Sequence, residues 1–244
     1  MPIGADKLPD PFAGERVSLF IPLYNEEIIL EESVATLVRH LDAQRFFYEI
    51  ILGSNGSSDR TCEIGSILAG RYRGIRFFHI PRRGPGLAFR EAVQQAAGSY
   101  LVCLDADLST DLNFIGEAVM LLVQGYDAVV GSKSMGRQKR PIWRVMASEV
   151  FILAANMMLS MPYRDYSIGA KAYRIAAVRP FLACIDRHTF YTQELLYQLQ
   201  RCKGRIIEIP VCCEDRRGSR FNLLHEGLYR YGKLCGLWLR SMKK

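Results

Sequence analysis

Two kinds of segment alternate along the first half of the chain, and this alternation constrains the fold more than any other feature. Five short apolar runs, rich in β-branched and aromatic residues, are typical of strands buried on both faces. Helix-like segments lie between them. The predicted strands are Val17–Ile21, Tyr48–Leu52, Ile75–Ile80, Tyr100–Leu104 and Ala128–Val130, and the predicted helices are Glu26–Leu41, Asp59–Ala69, Leu87–Ala97 and Leu112–Val123. The alternation predicts an α/β fold in which a mostly parallel sheet carries helices on both faces.

Composition narrows the class of protein. The chain of 244 residues is 49% apolar, enough for one globular unit with a sizeable core. Its formal charge of +7 predicts attraction to anions such as nucleotides, phospholipid head groups or nucleic acid. Seven cysteines occur without a Cys-x-x-Cys pair, which is typical of the reducing cytosol. Residues 1–16 lack the apolar core of a signal peptide and are predicted to be a flexible lead-in.

Four polar or glycine-rich loops follow the first four predicted strands. In open α/β sheets, ligands bind beyond the carboxyl ends of the strands, where helix N-termini present free N–H groups. Each loop alone is compatible with an ordinary turn, but four at one sheet edge predict a ligand site. The loops are Pro22–Glu26, Gly53–Asp59, Pro81–Gly86 and Asp105–Ser109. Side chains suited to helix capping stand in or beside three of them, at Asn25, Ser57 or Ser58, and Thr110 or Asp111, and Gly84–Gly86 forms a bend.

Two carboxylates, Asp105 and Asp107, follow the fourth predicted strand and are separated by one alanine. On an extended segment their side chains point the same way and converge. Like charges so close repel each other unless a cation or a hydrogen-bond donor compensates. Mg²⁺ and Mn²⁺ prefer such oxygen ligands and complete their shell with water and substrate phosphates. The pair therefore predicts a metal and nucleoside diphosphate site, the alternative being a capping aspartate beside a solvated one.

Eight motifs follow one another in a fixed order. They are "IPLYNEE" at Ile21–Glu27, "SNGSSDRT" at Ser54–Thr61, "DAD" at Asp105–Asp107, "VVGSK" at Val129–Lys133, "WRVMAS" at Trp143–Ser148, "DYSIGAKAY" at Asp165–Tyr173, "QELL" at Gln193–Leu196 and "EIPVCCEDRRGSR" at Glu208–Arg220. This set resembles the family-2 inverting glycosyltransferases of the GT-A fold. More narrowly, it resembles the polyprenyl-phosphate or dolichyl-phosphate mannose synthases and their glucosyl relatives. The resemblance covers roughly residues 17–220 and implies a Rossmann-like catalytic domain.

The resemblance implies roles for the loops that bind a nucleotide sugar. Pro22, Tyr24 and Glu26 match the loop around the base and ribose. Ser54 and Asn55 stand where the family usually has two aspartates, so the carboxylate that often contacts the base is absent, and Asn55 offers a donor and an acceptor instead.

The resemblance also assigns the diphosphate and the Mg²⁺ or Mn²⁺ ion to the DAD motif. Asp105, Ala106 and Asp107 approach the diphosphate, both aspartates are candidate metal ligands, and Asp107 is the expected direct one. Many mannose synthases have a glutamine where Ser109 stands, so the donor stays open between GDP-mannose and a UDP-hexose.

Basic residues form the expected phosphate-binding part of the site. By resemblance, Lys133 faces phosphate, and Arg144 and Ser148 hold the acceptor's phosphate. Their spacing supports this assignment, because residues four apart on a helix share a face, although exposed Arg and Ser are also common on solvated helices. Arg217 and Arg220 are expected in a mobile loop that closes over the diphosphate. No nucleic-acid-binding motif accompanies these charges, so nucleic acid is not an expected partner.

The expected reaction is transfer of a hexose with inversion. A phosphate acceptor is already ionised and needs no general base, whereas a sugar hydroxyl would make Glu194 or Asp165 the candidate base. The catalytic candidates are therefore Asp107, as the expected metal ligand, and Glu194 and Asp165, as candidate bases. The alternatives are a transferase with a glycan or other hydroxyl acceptor and a catalytically silent homologue that binds nucleotide or lipid.

Two later segments bear on membrane contact. Val145–Met161 is apolar but shorter than a spanning helix of ~20 residues and contains Glu149 and Asn156. Its apolar side chains recur at helical spacing, which favours a core-facing helix over one on a membrane surface. They are Trp143, Met146, Val150, Ala154, Met157 and Met161. Residues 221–244 mix Leu, Tyr and Trp238 with Lys and Arg, a composition typical of an interfacial helix on anionic lipid.

The expected organisation is one catalytic domain at 17–220, divided into a nucleotide-binding half at 17–133 and an acceptor half at 134–220, followed by the basic segment 221–244. We expect a cytoplasmic protein held peripherally at the cytoplasmic face of a membrane. An integral-membrane partner, if one exists, is expected to be a separate polypeptide.

Overall fold

The computed structural model describes residues 14–44, 46–136, 138–139, 142–214 and 223–242, with the backbone alone at 138–139, 142–144 and 223–225. The strands are β1 Arg16–Leu23, β2 Phe47–Asn55, β3 Ile75–Ile80, β4 Tyr100–Cys103, β5 Ala128–Ser132, β6 Gln138–Lys139, β7 Lys171–Arg174, β8 Ile206–Pro210 and β9 Cys213–Glu214. The helices are α1 Leu30–Asp42, α2 Thr61–Arg71, α3 Pro85–Gln95, α4 Asn113–Val123, α5 Ile142–Leu159, α6 Ile175–Val178, α7 Tyr191–Arg201 and α8 Leu223–Met242, with a 3₁₀ turn at Arg179–Phe181.

A seven-stranded sheet in the order β3-β2-β1-β4-β7-β5-β8 forms the centre of the molecule. Strands β1 to β4 pair in parallel, as do β5 and β8, whereas β7 runs antiparallel between β4 and β5. This register sets Lys171 of β7 opposite Cys103 on one side and Val130 on the other. The mostly parallel α/β sheet predicted from the sequence is therefore confirmed, with one reversed strand that the alternation did not indicate.

Helices cover both faces of the sheet because successive strand residues point to opposite sides. Leu19 packs in a core with α1, α2 and α4, whereas its neighbour Phe20 packs in a second core with α3, α5, α7 and α8. Both side chains are almost fully buried. The expectation of helices on both faces is confirmed.

The first two helices begin later than predicted. Within the described residues, their N-caps are Ile29 and Arg60, and neither makes a side-chain capping hydrogen bond. Asn25, expected to cap α1, has a left-handed φ of 55° and its Oδ1 accepts from the Ser58 N–H at 2.8 Å. The polar side chains before these helices therefore bind the neighbouring loop, a contact between segments 33 residues apart that capping rules do not consider.

The expectation that the methionine stripe faces the core is wrong for three of its residues on α5, although Met161, which follows the helix, is fully buried. Met146, Val150 and Met157 are 60%, 59% and 71% exposed, and the core side of α5 is formed by Phe151 and Ala155. α5 has apolar residues on most of its circumference, so periodicity alone does not select the buried face. In the part of the chain that the structure describes, no helix is both long and apolar enough to cross a membrane.

Candidate active site

The loops after β1 and β2 brace each other at the carboxyl edge of the sheet. The Asn25 N–H donates to Ser57 Oγ at 3.2 Å, and the Glu26 N–H donates to Thr61 Oγ1 at 2.7 Å. Thr61 N–H in turn donates to Asp59 Oδ1 at 3.0 Å. Side chains of the second loop therefore fix the backbone of the first, which holds the predicted nucleotide-binding loop in one conformation.

Asn55 connects three strand ends through its amide. Its Nδ2 donates to the Leu23 carbonyl at 2.9 Å, and its Oδ1 accepts from the Gly84 N–H at 3.1 Å. The side chain is buried, and it joins the ends of β1 and β2 to the loop after β3. We expected this amide to contact a nucleotide base. In the structure, both of its polar atoms form hydrogen bonds with backbone groups instead.

Ser54 is buried and belongs to a second polar group at the same loops, whose other members are partly buried or exposed. Its Oγ donates to Ser57 Oγ at 2.9 Å and lies 3.1 Å from His79 Nδ1. Cys62 Sγ lies 3.2 Å from the same His79 nitrogen. All seven cysteines lie within the described residues and are free thiols there.

An arginine that sequence analysis did not single out lies over the first loop. The Arg83 guanidinium stands 4.1 Å from the centre of the Tyr24 ring, a cation–π distance. Pro22 lies nearby at the end of β1, where it pairs in register with Gly53. The loop Pro81–Gly86 is predicted to contribute to the site because it follows the carboxyl end of a strand. Only the tertiary packing, however, pairs its arginine with Tyr24.

The DAD motif forms a turn, not the extended segment predicted. Leu108 N–H donates to the Asp105 carbonyl at 3.1 Å, and Leu108 has a left-handed φ of 48°. The Ser109 N–H donates to Asp107 Oδ1 at 3.1 Å, and the Gly169 N–H donates to Asp105 Oδ2 at 3.1 Å. The two carboxylates still lie close enough to interact. The turn brings them together, whereas the prediction had placed them on the same face of an extended strand.

Burial and several neighbouring charges shift the pKa of Asp105. Burial and the neighbouring Asp107 carboxylate raise the pKa of Asp105, and the ammonium groups of Lys171 and Lys133 offset part of that rise. A divalent cation beside the two carboxylates would favour their ionised forms further. The turn is thus a place where an additional positive charge is stabilising.

Two lysines and one aspartate form a buried charged group beside the DAD turn. Lys133 Nζ lies 3.6 Å from Asp165 Oδ2, and both residues are buried. Lys171 is 3% exposed, and its Nζ donates to the Ile168 carbonyl. Burial lowers the pKa of Lys171 to about 8, although the Asp165 and Asp105 carboxylates favour its charged form. Sequence analysis missed Lys171 because only the antiparallel insertion of β7 carries it between β4 and β5.

A cavity of about 290 Å³ adjoins this charged group. Lys133, Ser148 and Asp165 all line it, so the structure brings together three of the predicted site residues. The other lining residues are Ser134, Val145, Glu149, Ile152, Leu153, Asn156 and Arg164. The side chain of Arg144 and the whole of Arg217 and Arg220 lie outside the described residues. Strand β9 ends at Glu214, a few residues before Arg217, and it runs beside Ser109–Asp111.

Glu194 lies at the contact between α7 and α8. Its Oε1 accepts from Arg240 Nη2 at 2.8 Å. Burial raises the pKa of Glu194, and Arg240 offsets part of the rise. Lys233 makes a similar ion pair with Asp186 at 2.9 Å. Two basic residues expected to face lipid thus attach α8 to the domain, and the structure puts Glu194 with them instead of with the residues around the cavity.

Asp105 and Asp107 are the residues that fit a divalent cation. Their oxygens are ligands that Mg²⁺ and Mn²⁺ prefer, and two carboxylates leave the rest of the shell to water and substrate phosphates. A Cβ at position 169 would overlap the Asp105 carboxylate, so only glycine admits this close approach. No group of three or more His, Cys, Asp or Glu side chains suited to a metal is gathered among the described residues.

Comparison with known proteins agrees with the fold described above. Residues 18–181 match the protein family described as Glycosyl transferase family 2. The chain is 31% identical over 233 residues to Glycosyltransferase AglD of Haloferax volcanii, which is 93% of this chain and 37% of that protein. It is 36% identical over 183 residues to an undecaprenyl-phosphate 4-deoxy-4-formamido-L-arabinose transferase of Pseudomonas aeruginosa, which is 74% of this chain and 53% of that one. The chain therefore spans about a third to a half of these relatives.

A solved structure shares the architecture. Glucosyl-3-phosphoglycerate synthase of Mycobacterium tuberculosis, crystallised with Mn²⁺, UDP-glucose and phosphoglyceric acid, superposes with a TM-score of 0.68 at 20% identity. The match covers 93% of this chain and 81% of that one. Identity this low bears on the fold, and the likeness supports the α/β sheet described above.

Proposed function

Because the chain belongs to glycosyl transferase family 2, we propose that it moves a hexose from a nucleotide sugar to a polyprenyl or dolichyl phosphate at a membrane surface. The donor classes are GDP-mannose and the UDP-hexoses. The observation that carries the proposal is the adjacency of two sites. The buried Lys133 ammonium group acts on Asp105 of the DAD turn, which is suited to a metal and a diphosphate, and with Asp165 it lines a cavity suited to an anionic acceptor.

The donor side is supported by the residues of the sheet edge. Tyr24 and Arg83 offer an aromatic face and a cation near the end of β1, where a base and phosphates would lie. Asp105 and Asp107 would hold Mg²⁺ or Mn²⁺, whose charge would stabilise the departing nucleoside diphosphate. The synthase of similar fold was crystallised with Mn²⁺ and UDP-glucose, so UDP-glucose is the first donor to test.

The acceptor side is supported by the cavity and by the relatives. Lys133 and Ser148 offer an ammonium and a hydroxyl to a phosphate, and Leu153 extends from the cavity wall to the surface, where it is 57% exposed. A lipid phosphate has this mixed character. One relative is named as a transferase for undecaprenyl phosphate. Because a phosphate oxygen is already ionised near neutral pH, it attacks the sugar without a general base.

Membrane contact is supported by exposed apolar residues on two adjoining helices. Met146, Val150 and Met157 are exposed on α5, and Leu239 and Met242 are 54% and 67% exposed on α8. The helices pack together, with the Phe151 and Tyr231 rings 5.3 Å apart. An anionic lipid surface suits these apolar stripes together with the net charge of +7, and it would bring the lipid acceptor to the cavity.

A transfer assay tests the reaction. Purified protein with Mn²⁺ or Mg²⁺ is expected to transfer sugar from UDP-glucose, another UDP-hexose or GDP-mannose to a short polyprenyl phosphate, with products followed by mass spectrometry. EDTA should stop transfer, and the matching polyprenol, which lacks the phosphate, should not accept sugar. Equal use of polyprenol, or no transfer from any of these donors, would contradict the proposal.

A vesicle assay tests the membrane surface. Replacing Met146 and Met157 together by serine is expected to weaken partition onto anionic vesicles by about tenfold, because two exposed side chains no longer bury apolar area in the lipid. The control is Met120→Ser on α4, where the methionine is also exposed at 42%. Sedimentation with vesicles measures the partition. If the double variant and the control bind alike, α5 does not contact the lipid.

A further inference from the structure

Asp165 begins a tight turn that leads into β7. Its Oδ1 accepts from the Ser167 N–H at 2.9 Å, from the Ile168 N–H at 3.2 Å and from Ser167 Oγ at 3.1 Å. Its Oδ2 accepts from the Lys133 N–H at 3.4 Å and faces the Lys133 ammonium group. One buried carboxylate therefore organises residues 165–168 through Oδ1 and connects them to Lys133 through Oδ2.

The end of the same turn holds Asp105. After Ile168 comes Gly169, whose N–H donates to Asp105 Oδ2 at 3.1 Å. The glycine lies so close that an added Cβ would overlap the carboxylate. Lys171 donates to the Ile168 carbonyl and so fixes the turn from the β7 side. The position of the Asp105 carboxylate thus depends on the conformation of residues 165–169.

A third acidic residue fixes the start of the turn. Glu208 of β8 accepts through Oε1 from the Arg164 N–H at 2.7 Å and from the Asp165 N–H at 3.1 Å. The turn is therefore held at its start by Glu208, in its middle by Asp165 and at its end by Lys171. These restraints lie in the connection from α5 to β7 and end at the DAD motif.

We propose that Asp165 is a positioning residue and not a general base. It folds the turn 165–169 so that Gly169 holds the Asp105 carboxylate in the place where the proposed diphosphate site needs it. The inference rests on the proposed transferase function and says how its metal site is built. It also links the two halves of the site, because Asp165 lines the acceptor cavity and acts through the turn on the donor side.

The chemistry of Asp165 agrees with this role. A general base needs an accessible oxygen and a pKa near the working pH. Asp165 is 4% exposed, and both oxygens already accept hydrogen bonds. Burial alone would raise the pKa of Asp165, but Lys133, Lys171 and the backbone donors outweigh it and hold the pKa below its ordinary value.

Two substitutions at position 165 separate the roles. Asp165→Asn keeps an Oδ1 acceptor for the Ser167 and Ile168 N–H groups and gives up only the Oδ2 contact with Lys133, whereas Asp165→Ala removes both. We expect Asp165→Asn to lose no more than about tenfold in turnover, and Asp165→Ala to lose about 100-fold and to need more Mn²⁺ for half-saturation, as outer-shell changes at metal sites do. Gly169→Ala is expected to raise the Mn²⁺ requirement similarly, because the new Cβ displaces Asp105.

Direct binding keeps this test independent of transfer. Calorimetric titration of each variant with UDP and Mn²⁺ should show affinity weakened about tenfold or more in Asp165→Ala and Gly169→Ala, and little changed in Asp165→Asn. Thermal melting checks that each variant folds. The inference is overturned if Asp165→Asn is as inactive as Asp165→Ala while both bind UDP and Mn²⁺ like the parent, which is the pattern of a lost base. Unchanged binding in Gly169→Ala also overturns it.

Discussion

Replacing Asp107 by alanine is expected to reduce sugar transfer by about 10³-fold, the size of effect seen when a group that stabilises developing charge is removed. Asp107 lies at the centre of the DAD turn, where its Oδ1 accepts from the Ser109 N–H at 3.1 Å. Without its carboxylate, Asp105 alone would hold a bound cation, and the charge of a departing diphosphate would be compensated less well.

The measurement is turnover at saturating donor over a range of Mn²⁺ concentrations. Asp111→Ala is the matched control, because Asp111 is an exposed aspartate four residues further along and accepts from the Asn113 N–H at 3.0 Å. We expect that control to transfer sugar at the parent's rate. Turnover unchanged in Asp107→Ala would remove Asp107 from the metal site.

Replacing Asn55 by aspartate is expected to lower the free energy of unfolding by about 3 kcal/mol at pH 7.5, because a buried acceptor then faces a carbonyl. The Asn55 amide donates to Leu23 and accepts from Gly84, and an ionised carboxylate can only accept. The Leu23 carbonyl loses its donor and meets negative charge. Because this link joins three strand ends, nucleotide binding should weaken as well.

The loss should depend on pH with a definite sign. A protonated carboxylic acid donates to one partner and accepts from the other, as the amide does, so folding favours the protonated form and raises the pKa of the new side chain. Such a group stabilises the fold below its unfolded pKa of about 3.9 and loses that contribution as pH rises through the folded pKa. The difference from the parent should therefore be smaller at pH 4.5 than at pH 7.5.

Urea unfolding of parent and variant at the two pH values measures this. Asn113→Asp is the control, since Asn113 is exposed at the first position of α4. A carboxylate there is favourable to the helix N-terminus but loses the hydrogen bond that Asn113 Nδ2 donates to Asp111 Oδ2 at 3.2 Å, and because both side chains are exposed the net effect should stay within about 0.5 kcal/mol. An equal loss at both pH values would show that the amide does not form the two-sided link described.

Local patterns in the chain predict the elements that depend on near neighbours in sequence. The apolar runs, the polar loops at the strand ends and the DAD motif are read from adjacent residues, and the sheet, the helices on both faces and the family follow from them. The methionine stripe of α5 marks the limit of this reasoning. A helix that is apolar on most sides has no single predicted inner face, and its packing against α8 and the sheet decides which side is exposed.

The α/β class follows from local sequence patterns, which also predict the sheet edge at which ligands bind and the carboxylates suited to a metal. How those carboxylates are held depends on the packing of distant segments. Gly169 lies 64 residues from Asp105, and Lys171 reaches the site because β7 is inserted antiparallel between β4 and β5. Such contacts depend on strand order and register, which pairings between distant segments set, and no local periodicity encodes them.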